Sequence, residues 1–126
     1  MKTQLTNLIL GLSLMLMLSS CTTYYFTTSS LISQLPKVDS SVPTDKRFNN
    51  NLARAKVTDK SGKEFIVNVT SHTGVRITSK TGEHKIVMFD TMFIKDSLLC
   101  ANKSHFINAP IKPFKISDIT KLELQN

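Results

Sequence analysis

The stretch KEFIVNVTSHTGVRITSK, Lys63 to Lys80, decides the fold class. Phe65, Val67 and Val69 fall on one side of an extended chain, and Glu64, Ile66, Asn68 and Thr70 on the other. After Ser71-His72-Thr73-Gly74 the alternation resumes, with Val75 and Ile77 opposed to Arg76 and Thr78. A period of two is the signature of a half-buried strand, whereas a helix face repeats every three or four residues. Two strands joined by a turn are the reading.

The same texture extends in both directions. Gly62, Gly74 and Gly82 sit in the turn-like clusters DKSG, SHTG and KTG, spaced by 12 and 8 residues, the rhythm of short strands and tight turns. HKIVMFD, from His84, places Ile86 and Met88 on one face and Val87 and Phe89 on the other, so something should cover both sides. MFIKDSLLCA and SHFINA are less regular strand candidates. The closing FKISDITKLELQN reads as a strand from Phe114 to Ile116, a turn at Ser117-Asp118 capped by the Asp118 side chain, and a last strand to Leu124. Ile119 fits as a plug at that turn, with Leu122 and Leu124 inward. No amphipathic helix of three turns is visible after residue 40. Residues 53–126 are therefore expected to form one small, mainly β domain.

The opposite end of the chain has another composition. Lys2 precedes LILGLSLMLML, Leu8 to Leu18, which is apolar apart from Gly11 and Ser13. Eleven helical residues span about 16 Å, half of the ~30 Å bilayer core. That is the layout of an export leader over residues 1–20 rather than of a permanent span. The alternative, a short buried helix, would need a second greasy segment to cover it, and the chain offers none.

Leu18-Ser19-Ser20-Cys21 then resembles a bacterial lipobox: a large aliphatic residue, two small ones and a cysteine. The resemblance implies cleavage before Cys21 and two or three acyl chains on that residue, an anchor to the lipid bilayer. One chain holds a protein marginally, and two or more hold it stably. Cys100 would then be the last free thiol, with no intrachain disulfide open to it. Residues 21–52, rich in Thr, Ser, Asn and Pro, read as the lipidated cysteine and a flexible tether. About thirty such residues reach roughly 30 Å. Within them Leu31, Ile32 and Leu35 suggest a short helix stopped before Pro36, and Tyr24, Tyr25 and Phe26 are candidates for the head-group zone.

AKVTDKSGKEFIVNVT, GVRITSK and the closing IKPFKISDITKLEL also resemble the small barrel domains of uncharacterised envelope lipoproteins of Bacteroidota-type bacteria. That resemblance covers residues 53–126. It implies an SH3-like or Sm-like barrel, or a strongly bent antiparallel sheet, with a single-turn helix before the last strand. The insertion NKSHFINAPIKP leaves strand number and closure open. Asp90-Thr91-Met92 and Asp96-Ser97-Leu98 match a tripeptide glycosylated on exported proteins of that group. TTYYFTT after Cys21 lacks the acidic cluster of surface display, which implies an outer-membrane position facing the periplasm.

The whole chain has 16 Lys and Arg against 9 Asp and Glu. Removing residues 1–20 takes only Lys2, so the domain stays basic. Scattered positive charge beside a membrane suits anionic lipid, acidic glycan or another envelope protein. Nucleic acid is not an expected partner, since no aromatic-basic recognition motif is present. Lys60, Lys63, Arg76, Lys80 and Lys85 are the candidate contacts, against the plainer reading of a solvated strand face.

Catalytic signals are few. No Gly-X-Ser-X-Gly elbow, Ser-X-X-Lys or phosphate-binding glycine loop occurs. His72 and His84 lie in or beside turns and could approach across neighbouring hairpins, but no spacing matches a common zinc site. No metal or cofactor is expected. The expected function is a membrane-anchored, non-catalytic binding or scaffolding module. The alternatives are a small hydrolase or thiol-dependent enzyme using Cys100 with His105, and a subunit that completes its sheet on a larger partner.

Overall fold

The computed structural model describes residues 23–38 and 48–126. The expected leader, Cys21 and the middle of the expected tether lie outside these. In chain order the elements are β1 (Tyr25–Phe26), α1 (Thr28–Gln34), β2 (Arg54–Thr58), β3 (Glu64–Asn68), β4 (Gly74–Ser79) and β5 (His84–Met88). Then follow β6 (Phe93–Lys95), β7 (Leu98–Cys100), β8 (Phe114–Lys115) and β9 (Ile119–Gln125). Single 3-10 turns, Phe89–Thr91 and Ile116–Asp118, precede β6 and β9. The chain is mainly β, as the alternation indicates.

Six strands form one antiparallel sheet in the order β3-β2-β1-β9-β4-β5, and β6-β7-β8 form a second. The larger sheet is strongly bent, and connectivity shows why it must be. Through the pairs Glu64–Thr58, Thr58–Tyr25, Tyr25–Glu123 and Glu123–Arg76, Glu64 and Arg76 share one row. Asn68 then lies four rows to one side and Gly74 two rows to the other, four strands apart. In a flat sheet those ends would be about 28 Å apart, from ~4.8 Å between strands and ~3.3 Å per residue. The five linking residues cover at most ~22 Å. The sheet therefore coils, and Thr73 Oγ1 reaches Asn126 Oδ1 at 3.2 Å. Of the two expected forms, the bent sheet is the one found: the strands do not close into a barrel.

The expected flexible tether requires correction. Tyr25–Phe26 lies inside the main sheet, paired to β2 on one side and β9 on the other. Phe26 stacks on Phe89 with ring centroids 5.8 Å apart, Tyr24 packs against Phe65, and the Lys121 ammonium lies 5.6 Å from the Tyr25 ring centroid. These aromatic side chains pack on the domain. The chain leaves the sheet at Thr27, whose hydroxyl caps α1 by accepting from Ser30 N–H at 3.2 Å. The register leaves Lys56 of β2 without a backbone partner there. Gln34 supplies one: its Oε1 accepts from Lys56 N–H at 2.7 Å and its Nε2 donates to Lys56 C=O at 3.0 Å. One side-chain amide thus replaces a residue of the missing strand. α1 ends before Pro36, as the sequence suggests.

After α1, Lys37 bridges Ile94 in parallel, with Val38 N–H donating to Ile94 C=O at 2.7 Å. The core lies between the concave face of the larger sheet and the cover made by α1 and the smaller sheet. Val57, Val75, Ile77, Val87 and Leu122 from the first meet Leu31, Leu35, Met92, Ile94 and Leu99 from the second, all buried. Ile119 is buried at the start of β9, and Leu124 faces inward as expected. Val87 and Phe89 face the core, while Ile86 of the same strand is half exposed on the outer face. That strand is covered on one side only. SHFINA is an irregular loop, not a strand.

Candidate functional site

The β4–β5 hairpin and the segment entering β9 build a cleft at one end of the larger sheet. Gly82 takes a φ of +84° at the hairpin turn, a backbone conformation that side-chain-bearing residues avoid. Ser79 N–H donates to Glu83 C=O at 2.8 Å, closing the turn. The β4–β9 register shifts between Thr78 and Ser79, where the hairpin begins. Lys80 N–H then donates to the Asp118 carbonyl at 2.9 Å, and the Thr120 hydroxyl to Thr78 C=O at 3.2 Å. Two segments about forty residues apart in sequence are thereby fixed side by side. No side-chain cap accompanies the Ile116–Asp118 turn. Asp118 lines the cleft instead of capping it.

The cleft holds about 510 Å³ and is lined by Lys80, Lys85, Lys112 and Lys115, with Glu83 and Asp118 as its two carboxylates. Pro113 and Phe114 give an apolar wall, and Ser79 and Thr81 add hydroxyls that bond each other at 2.8 Å. Lys85 stands opposite Ile77 on the concave side of the sheet, so its stem runs over the core edge and its ammonium emerges in the cleft. Its distance to Glu83 is 3.9 Å, too long for a tight hydrogen-bonded pair. Four ammonium groups facing two carboxylates leave a positive field. Anionic groups with neighbouring hydroxyls are the chemistry such a lining accepts. Among the described residues no histidine or cysteine lines it.

The five cationic residues singled out in the sequence do not form one patch. Lys80 and Lys85 are in the cleft. Lys60 and Lys63 belong to the β2–β3 turn at the other end of the sheet, with the Lys63 ammonium 5.3 Å from the Phe65 ring centroid. Arg76 lies mid-sheet on the outer face, in register with Glu123 and Ile86, and its Nε is buried with no hydrogen-bond partner. Lys112 and Lys115 escaped sequence reasoning; the basic-apolar texture of IKPFK was the available signal.

The ring of His105 contacts Asp90. Its Nε2 lies 2.6 Å from Asp90 Oδ1, joining the 102–110 loop to the turn after β5. Cys100 is half-buried with its Sγ 3.9 Å from Leu98 C=O, and burial pushes its thiol above the ordinary range despite the nearby Lys95 charge. His72 and His84 lie at opposite ends of β4, the first before Gly74 and the second opposite Thr78. Among the described residues no group of three His, Cys, Asp or Glu side chains is placed to hold a metal. Of the two glycosylation-like tripeptides, Ser97 is exposed at a hairpin tip, but Thr91 is buried with its hydroxyl bonded to Met88 C=O at 2.7 Å. No helix among the described residues is long and apolar enough to cross a membrane. No protein-family model matches the chain, and comparison with curated proteins and with solved structures finds no match either.

Proposed function

We propose that this chain is a lipid-anchored, non-catalytic binding module of the bacterial envelope that takes up anionic, hydroxyl-rich ligands in its lysine-lined cleft. The supporting observation is the convergence of Lys80, Lys85, Lys112 and Lys115 from two distant segments on one cavity of about 510 Å³. A solvated strand face would spread its charges, and nothing would bring Lys112 and Lys115 to the β4–β5 hairpin. Phosphorylated or uronate-bearing glycans fit the lining, since the lysines meet the anion while Glu83 and Asp118 accept from sugar hydroxyls. The anchor is the acylated Cys21 of the lipobox-like LSSC, in the outer membrane facing the periplasm.

Binding of a phosphorylated oligosaccharide to the purified protein, followed by calorimetry, tests the cleft. Exchanging Lys112 and Lys115 for glutamate reverses the local charge and should weaken binding at least about tenfold, most strongly at low salt. Exchanging Lys60 and Lys63 should leave it unchanged. Equal loss from both pairs would reduce the interaction to net charge and remove the cleft as a site.

A further inference from the structure

The 102–110 loop is ordered by its own hydrogen bonds and carries two large exposed apolar side chains. Asn102 organises it: its Oδ1 accepts from Ser104 N–H and Ala109 N–H, both at 3.1 Å, and its Nδ2 donates to Asn108 Oδ1 at 3.2 Å. Ser104 Oγ accepts from Phe106 N–H at 3.0 Å, and Lys103 N–H donates to Ala109 C=O at 3.0 Å. The base is fixed to the end of β5, with Met88 N–H donating to Asn102 C=O and Asn102 N–H to the Thr91 hydroxyl, besides the His105–Asp90 contact. On this frame Phe106 is 90% and Ile107 64% exposed. Adjacent exposed Phe and Ile on an ordered loop differ from the scattered apolar residues of an ordinary surface.

The register shows which end of the sheet carries this loop. Met88, where β5 ends, pairs with Gly74, which pairs with Gln125. Tyr25 pairs with Glu123, and Leu124 N–H donates to Tyr24 C=O at 2.9 Å, so the chain at Thr23 enters the sheet at that same end. Cys21 is two residues further back, at most ~7 Å of chain. Acyl chains on Cys21 would therefore bring the leaflet against this end rather than hold the domain off on a thirty-residue spacer. Lys60 and Lys63 of the β2–β3 turn share it, and Lys103 lies in the loop itself. Of the carboxylates there, Asp59 is occupied by Ser61 and by Lys63 N–H, and Asp90 by His105. The lysine cleft is at the opposite end, next to Ser79 and Ile119.

We propose that the Phe106–Ile107 loop inserts into the head-group layer of the leaflet that holds Cys21, with Lys60, Lys63 and Lys103 facing its anionic lipids. The inference rests on the acylation of Cys21 proposed above. It orients the domain: the apolar tip and three lysines face the lipid, and the cleft faces away from it. Aromatic and aliphatic side chains beside lysines are the composition that favours such an interface.

The chain has no tryptophan, so Phe106→Trp and Ile66→Trp each place a single indole in the molecule, the second on the outer sheet face, where Ile66 is 71% exposed. The full-length acylated variants are reconstituted into phosphatidylethanolamine–phosphatidylglycerol vesicles, with and without brominated acyl chains. Quenching of the Phe106→Trp emission by about twofold or more, with Ile66→Trp unaffected, is the expected result. Equal quenching of the two, or quenching of Ile66→Trp alone, overturns the orientation while leaving the anchor intact. A protein that partitions into water instead of detergent lacks the acyl chains, and the anchor fails together with the inference.

Discussion

Leu31→Ala separates a folded N-terminal segment from a spacer. Leu31 is 1% exposed, on a helix of seven residues that would not persist alone in water. Its side chain joins the core that Phe26, Val57 and Leu122 also form. Truncating a buried leucine removes its transfer free energy and leaves a cavity, together about 2–5 kcal/mol. A domain of this size holds about 5–15 kcal/mol in all. The loss is therefore a large fraction of the total and should lower the melting temperature by about 8–40 °C, at ~4–8 °C per kcal/mol. Thermal unfolding followed by far-ultraviolet circular dichroism reads this directly, with Ser29→Ala on the exposed side of the same helix as control. If the two variants melt within about 2 °C of each other, α1 is not part of the cooperative unit and the domain begins later in the chain.

Gln34→Ala should cost about 1–3 kcal/mol, two hydrogen bonds to β2, and should speed hydrogen exchange at the Lys56 amide specifically. Unchanged exchange there would mean that water serves Lys56 equally well. Cys100 should react with iodoacetamide in the folded protein at least about tenfold more slowly than in urea, with the rate rising only above the ordinary thiol range. Burial raises the thiol, so the reactive thiolate is scarce at neutral pH and accumulates as pH climbs. Rapid alkylation at neutral pH would revive a nucleophilic role. Asp59 is displaced the other way, held low mainly by the Ser61 hydroxyl with further help from backbone N–H groups of Lys63 and Ser61. Its contribution to the β2–β3 turn is present above the ordinary carboxylate range and is lost as pH falls through its lowered value. Asp59→Asn should therefore flatten the acid limb of the stability profile, and an unaltered limb would exclude the residue.

What the sequence disclosed follows from the length of each signal. β3, β4 and β9 carry three or more alternating residues, enough for a period to show, and Val75, Ile77, Leu122 and Leu124 are buried as that period requires. A two-residue strand has no period. Tyr25–Phe26 sits among threonines and serines, and its place between β2 and β9 depends on backbone pairing that composition does not encode. The short helix after it was visible through Leu31, Ile32 and Leu35, but its docking through Gln34 was not. The cleft is a long-range product of the same kind. Lys80 and Lys85 were singled out, whereas Lys112 and Lys115 join them through the pairing of β4 with β9 and the bond from Lys80 N–H to the Asp118 carbonyl. Bending was implicit in the five residues between β3 and β4, once the strand order was known.

The proposed anchor at Cys21 underlies both the compartment and the orientation of the domain. Mass spectrometry of the protein purified from its own membranes tests it most directly. The account predicts a mature chain whose first residue is Cys21, carrying the mass of two or three acyl groups. A chain that retains residues 1–20, with the Cys21 thiol unmodified, would contradict it.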